Sequence, residues 1–156
     1  MKNLWIILAI CWLVGGACRR KDAEPQRISC DDFVKTAAEA NPLILGRWQW
    51  EQTYTFLRGM TAPRIETPQS AGYSEELVFN PGGTVESYRN GQLLATQRYT
   101  IQDVPGEATL YLHLTELNGT AVPSATDLPL LRICPDRLTL SYSYNDSGGD
   151  KTYRKL

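Results

Sequence analysis

Histidine occurs once in the 156 residues, at His113. A nucleophile needs a neighbouring base. This lone imidazole falls on one strand face with Tyr111 and Thr115, opposite Leu110, Leu112 and Leu114, so it reads as a solvent-facing strand residue. Cys-x-x-Cys, His-x-x-x-His, Gly-x-Ser-x-Gly and Gly-x-x-x-x-Gly-Lys are all missing, which removes the common zinc, hydrolase and nucleotide signatures. Glu75 and Glu76 are adjacent, so a strand sends them to opposite faces and they do not act as one carboxylate pair. No enzymatic activity, cofactor or metal is expected. An excess of one charge is lacking too, since 16 basic residues face 17 acidic ones. Nucleic-acid binding needs a basic face that releases counterions. The one basic cluster, Arg19 to Lys21, directly follows an apolar N-terminal run, where phospholipid head groups account for it, and no nucleic-acid partner is expected.

That run is too short to span a bilayer, which takes about 20 apolar residues. Leu4 to Val14 follows Lys2 and gives way to Gly15, Gly16, Ala17 and Cys18, then to Arg19, Arg20, Lys21 and Asp22. A positive end, an apolar centre and small residues make a secretory signal over residues 1–17; the alternative is a short uncleaved anchor. Leu13-Val14-Gly15-Gly16-Ala17-Cys18 resembles the lipobox of bacterial lipoproteins, although Gly15 stands where that pattern favours Leu. Cys11 is preceded by bulky Ile10, where cleavage needs a small side chain. The resemblance implies that Cys18 becomes the N-terminus and carries a diacylglycerol and acyl chains such as palmitate. Each buried methylene contributes about 0.8 kcal/mol, so two or three chains anchor a protein to a membrane almost irreversibly. Arg19, in place of the Asp that retains some lipoproteins at the inner membrane, implies the outer membrane of the cell envelope. Without Lys2 the balance is 15 basic to 17 acidic residues, a net charge of about −2.

Residues 18–30 are charged, contain Pro25 and show no apolar periodicity, as suits a tether. The remaining 31–156 are enough for one domain with a core and too few for two. With Cys18 acylated, Cys30 and Cys134 form either a disulfide or two separate buried thiols. Export favours oxidation, and closing a loop of about 100 residues contributes as much as roughly 4–5 kcal/mol in the chain-entropy model.

Asp31 is placed to cap a short helix over Asp32 to Ala40, with Phe33, Val34 and Ala37 inward and Asn41-Pro42 as the stop. Alternation then takes over. Gly46, Trp48, Trp50, Gln52, Tyr54 and Phe56 share one face of a first strand. Tyr73, Leu77 and Phe79 face inward on a second, which ends at Asn80-Pro81-Gly82-Gly83. Thr84 to Arg89 meets Asn90-Gly91, the strongest short hairpin signal. Further strands are expected over Gln92 to Asp103, around Leu110 to Thr115, around Leu128 to Cys134 (where Pro129 argues for an edge or irregular position), over Leu138 to Tyr144 and over Lys151 to Leu156. Eight strands with turn residues at short intervals make an all-β antiparallel sandwich or barrel.

Gly46-Arg47-Trp48, preceded by a short helical segment, resembles the Gly-x-Trp motif that opens the first strand of lipocalins. With Phe79 to Thr84, Tyr88-Arg89-Asn90-Gly91 and the terminal Tyr153-Arg154-Lys155, the chain from Leu43 to Leu156 resembles the lipocalin-like domains of Gram-negative lipoproteins. The resemblance implies an eight-stranded antiparallel up-and-down barrel closed at its base by Trp48. It also implies a cation lying across that indole, with Arg154 the first choice and Arg132 the second.

An eight-stranded barrel is either filled by side chains or holds one small ligand. Inward positions expected to line a cavity or to close it include Trp50, Tyr54, Phe56, Leu77, Phe79, Tyr99, Leu110, Leu112, Tyr142 and Tyr144. Leu57 to Gly72 is too long for a hairpin, and such loops are often functional. By the same resemblance it would cover the mouth, bringing Arg58, Met60 and Arg64 to a small apolar ligand with an anionic end. The competing reading is a filled barrel whose outer face or loops hold a protein or glycan of the envelope, with Tyr111, His113 and Thr115 exposed for that purpose.

Overall fold

A computed structural model describes residues 27, 30, 32–104, 106–117, 128–142 and 148–156. The signal segment, Cys18, most of the tether, Asp31 and Tyr144 lie outside the described residues. The strands are β1 (Gly46–Thr55), β2 (Arg64–Glu66), β3 (Glu75–Asn80), β4 (Thr84–Arg89), β5 (Gln92–Asp103), β6 (Leu110–Glu116), β7 (Leu130–Ile133), β8 (Arg137–Ser141) and β9 (Asp150–Lys155), with helices α1 (Ala37–Ile44) and α2 (Pro68–Ala71). From β3 onward each strand pairs antiparallel with the next, β1 pairs with β3, and β1 also pairs with β9 from Trp48↔Lys155 to Tyr54↔Asp150. These eight strands close an up-and-down antiparallel barrel, an architecture compatible with a lipocalin-like fold. The short β2 extends the sheet beside Thr53 to Thr55, past the upper end of β3. The seam is thinnest between β6 and β7, where two residue pairs and the bond from Leu112 N to Pro129 O hold the strands. Pro129 sits where only its carbonyl is used, so its missing N–H breaks no ladder bond.

The Asn90-Gly91 turn joins β4 to β5 with both residues at positive φ, 50° and 76°. This backbone twist matches that of the flanking strands and favours Asn-Gly. Gly46 opens β1 at φ 111°, a conformation open in practice only to glycine, which gives the first position of the Gly-x-Trp motif a backbone reason.

The end of the barrel where β1 begins is its base, and α1 closes it. The helix starts five residues later than the sequence predicts and runs through Pro42. Val34 N donates to Ile133 O at 3.0 Å, so the chain before Thr36 is engaged with the end of β7 rather than coiled. Thr36, not Asp31, caps the helix: its hydroxyl accepts from Glu39 N, and the Glu39 carboxylate accepts from Thr36 Oγ1 at 2.9 Å and from Lys35 N at 3.3 Å. The bond from the Thr36 side chain is the first cause holding the Glu39 carboxyl below its ordinary pKa. Pro42 is exposed and forfeits one intrahelical bond. Burial of Ala40 and Ile44, both wholly inaccessible, draws the helix past it.

The C-terminus of α1 rests on Trp48. The indole Nε1–H donates to Ile44 O at 2.6 Å, and Lys155 Nζ donates to Leu43 O at 2.8 Å while standing 5.1 Å from the Trp48 ring centroid. The cation over the indole is therefore Lys155 and not Arg154. Register explains the correction: Lys155 lies directly opposite Trp48, whereas Arg154 lies opposite Gln49 with its side chain outside. There Arg154 meets Glu51 at 3.5 Å. Arg132 stands 5.7 Å from the Phe33 ring, not over Trp48.

Strict alternation along β1 puts Gln52, Tyr54 and Phe56 inward, and the structure reverses them. A bulge falls between Trp50 and Gln52 in the pairing with β9, and an extra residue flips the face of all that follow. The bulge keeps the Glu51 carboxylate outside, where it meets Arg137 Nε at 3.0 Å as well as Arg154. Beyond it Thr53 turns inward and accepts the Trp50 indole N–H at 3.1 Å. Gln52 and Tyr54 turn outward, opposite Thr152 and Asp150. Phe56, past the end of β1, is 54% exposed.

On the outer wall, Gln52, Thr139, Ser141, Asp150 and Thr152 form a polar group that is nonetheless buried. The Thr139 and Thr152 hydroxyls bond each other at 3.2 Å, Ser141 donates to Asp150, and Arg27 pairs with Asp150 and lies 5.5 Å from the Tyr54 ring. Cys30 is disulfide-bonded to Cys134, with Cα atoms 6.1 Å apart. Arg27 and Cys30 thus pin the N-terminal segment to this wall at two points.

Candidate functional site: a cavity in the upper barrel

Inward side chains fill the two halves of the barrel differently. Toward the base, Trp48, Ile44, Leu110, Ile133 and Leu138 are at most 1% exposed and form one packed cluster. Phe79 joins it, its ring edge-on to Tyr99 at 5.0 Å. Toward the other end, the mouth, the same face leaves a cavity of about 480 Å³. Its apolar walls are Leu77, Phe79, Val85, Leu112, Leu114 and Leu140, with Ser87, Gln97, Tyr142, Lys151 and Tyr153 as the polar lining. Strand parity explains the set. Leu140 pairs with Lys151 and Leu138 with Tyr153, so β9 sends Lys151, Tyr153 and Lys155 inward in succession.

The charged group at the cavity is built from three strands. Lys151 Nζ donates to Glu75 Oε2 at 2.7 Å, and Arg89 Nη2 donates to Glu75 Oε1 at 2.8 Å. Burial by itself disfavours ionisation of Glu75, yet the hydrogen bonds and charges of Lys151 and Arg89 outweigh it and hold the carboxyl below its ordinary pKa. The same two cations flank a pair of rings. Trp50 stacks on Tyr73 at 5.4 Å and 18°, Lys151 Nζ lies 5.9 Å from Trp50, and the Arg89 guanidinium lies 4.3 Å from Tyr73. One carboxylate between two cations leaves this group with a net positive charge beside apolar walls. Tyr153 is 4% exposed, and burial pushes its phenol well above the ordinary value, so it presents a neutral O–H.

Of the residues expected to hold a ligand, Tyr142 lines the cavity. Trp50 is 1% exposed and packs beneath Lys151, and Tyr99 belongs to the packed half. Tyr54 and Phe56 are outside the barrel. Arg58, Met60 and Arg64 belong to the segment between β1 and β3 and are not among the lining residues. Arg58 and Arg64 are exposed, Arg64 3.6 Å from Glu66, while Met60 N donates to Leu57 O in a tight turn. The segment carries structure of its own: α2 is capped at Thr67 by a reciprocal bond with Ser70 and ends at Gly72. Lys151 is the charged lining residue that sequence reasoning missed. The signal available was its spacing of two from Tyr153.

No protein-family model, curated protein or solved structure was found to match this chain.

Proposed function

We propose that this protein is a lipid-anchored lipoprotein of the bacterial cell envelope, held at the outer membrane through Cys18, whose lipocalin-like barrel binds one small apolar molecule with an anionic end. The observation that carries ligand binding is the cavity of about 480 Å³ over a packed base. Small-molecule sites run about 300–1,000 Å³, with apolar walls and a few placed polar groups. The filled-barrel reading agrees with the base and not with the mouth half. The anionic end is argued from charge: Glu75 alone offsets Lys151 and Arg89, so an entering carboxylate or phosphate meets a cation beside leucine walls. Binding rather than catalysis is favoured because these charged groups are engaged with one another and His113 occupies the opposite parity of β6 from the lining leucines. The anchor and the envelope location rest on the sequence from Lys2 to Asp22, with residues 1–17 as signal and 18–30 as tether.

Trp50 lies against Lys151, so its emission reports occupancy. Titration with a long-chain fatty acid is expected to change Trp50 fluorescence saturably and to add one ligand mass in native mass spectrometry, with Lys151→Met weakening the fatty acid more than the matching fatty alcohol. Silence in both measurements refutes the ligand-binding reading.

A further inference from the structure

The outer wall fixes where the N-terminal segment leaves the barrel. Cys30 is bonded to Cys134, just past the base end of β7. Arg27 pairs with Asp150, the first residue of β9, beside Tyr54 near the upper end of β1. Cys30 is thus held at the base end of this wall and the Arg27 guanidinium near its mouth end. Cys18 lies nine residues before Arg27, a reach of at most about 30 Å.

The exposed large hydrophobic side chains among the described residues are Phe56, Leu93, Leu94, Leu117 and Leu156. Single exposed apolar residues need no explanation, but their distribution here does. Phe56 follows the upper end of β1, Leu117 follows that of β6, and Leu93 and Leu94 begin β5 beside the Asn90-Gly91 turn. Four of the five thus stand at the mouth, and only Leu156 is at the base. Arg58 and Arg64 are exposed on the segment after β1, Arg64 pairing with Glu66 at 3.6 Å; Glu75 and Asp150 of this end also have basic partners, and Glu116 beside Leu117 is exposed. At the base, exposed Glu39, Asp103, Glu107 and Asp136 stand with exposed Lys35 and Arg132, and Asp136 pairs with Arg137 at 2.7 Å.

We propose that the mouth of the barrel docks on a phospholipid surface. Phe56, Leu93, Leu94 and Leu117 enter the boundary between head groups and acyl chains, and Arg58 and Arg64 meet anionic phosphates. Apolar insertion plus electrostatic attraction is how peripheral surfaces hold lipid. The cavity then opens onto the membrane, so a single-chain lipid passes between bilayer and barrel without crossing water. The orientation rests on the reading of Cys18 as the anchor, because that is what places the membrane on the side where the Arg27 guanidinium is held.

The test uses the full chain reconstituted with vesicles of phosphatidylethanolamine and phosphatidylglycerol, with and without brominated phospholipid. Leu94→Trp and Leu117→Trp report on the rim and Leu156→Trp on the base, each against the parent protein. All three positions are exposed, and an unchanged melting temperature confirms the fold. Docking predicts that emission gained at the rim is quenched severalfold more than emission gained at Leu156. Equal quenching at both ends, or stronger quenching at the base, overturns it. Flotation with the vesicles and the intact mass at Cys18 separate the two claims. A lipidated, floating protein with an unquenched rim overturns the docking and leaves the anchor standing. A quenched rim on a chain without lipid sustains the docking and removes the anchor. Rim tryptophans that become shielded with rising protein concentration, before vesicles are added, assign the rim to a second copy of this chain and overturn the membrane proposal.

Discussion

Replacing Lys155 with alanine removes two contacts at once. The ammonium stands 5.1 Å from the Trp48 ring centroid and 2.8 Å from Leu43 O at the last turn of α1. A cation over an indole contributes about 1 kcal/mol at a half-buried site, and a charged donor on a helix C-terminal carbonyl adds about 1.5 kcal/mol. Both contacts restrain the same ammonium and are not additive, so about 2 kcal/mol is the expected loss. For a domain of this size each kcal/mol lowers the melting temperature by about 3–5 °C, which puts Lys155→Ala about 6–10 °C below the parent. Arg154, one residue earlier, has a half-exposed side chain that meets Glu51 at 3.5 Å. Such pairs are worth about 0–1 kcal/mol, so Arg154→Ala is expected to shift the transition by under about 5 °C. Lys155→Met keeps the stem beside Gly46 and discards the charge, and it should fall between the two. Thermal unfolding followed by near-ultraviolet circular dichroism, which reports the packing of Trp48 and the other buried rings, measures all three. Equal losses for the two alanine variants, or a larger loss for Arg154→Ala, would refute the β1–β9 register and with it the account of the closed base.

The double variant Cys30→Ser/Cys134→Ser opens a loop of 104 residues and is expected to cost about 2–5 kcal/mol, read as a lower midpoint in guanidinium; an unchanged midpoint would mean that the bond contributes nothing to the native state. Glu75 has a lowered pKa in the fold, so its contribution is fully present above the ordinary carboxylate value of 4.5 and is lost as pH falls through the lower, folded value. The stability gap between the parent and Glu75→Gln should therefore be open at pH 6 and close in acid below about pH 4.5; a gap that is constant or widens in acid would sink the network's role.

Most of the barrel is legible because its signals are local. Two-residue alternation and turn residues depend on nearby chain only, and strand positions from β3 to β9 follow them within a few residues. What escaped is what depends on a partner across the sheet. Nothing near Glu51 announces a bulge, since the reason for it, the guanidiniums of Arg137 and Arg154, arrives from β8 and β9. One unannounced residue then reversed Tyr54 and moved the expected ligand face. Lys155 was missed for the same reason: choosing between it and Arg154 needs the register between the first and last strands, which is a property of closure. The helix shifted because Pro42 is a strong local stop, and tertiary burial of Ile44 with the Trp48 bond to its carbonyl outweighs one forfeited helical hydrogen bond.

The two halves of the interior solve different problems. At the base, apolar side chains with almost no accessible surface lie beside the disulfide and α1, so cooperative stability concentrates there. At the mouth, a polar group around Glu75 ties β3, β4 and β9 together. A barrel that had to hold itself together through its upper half would have to fill that half with side chains. Because Trp48, α1 and Lys155 hold the ring shut from below, Leu77, Leu114 and Leu140 are free to remain walls rather than packing partners. The cavity of the upper half thus goes with closure enforced from below.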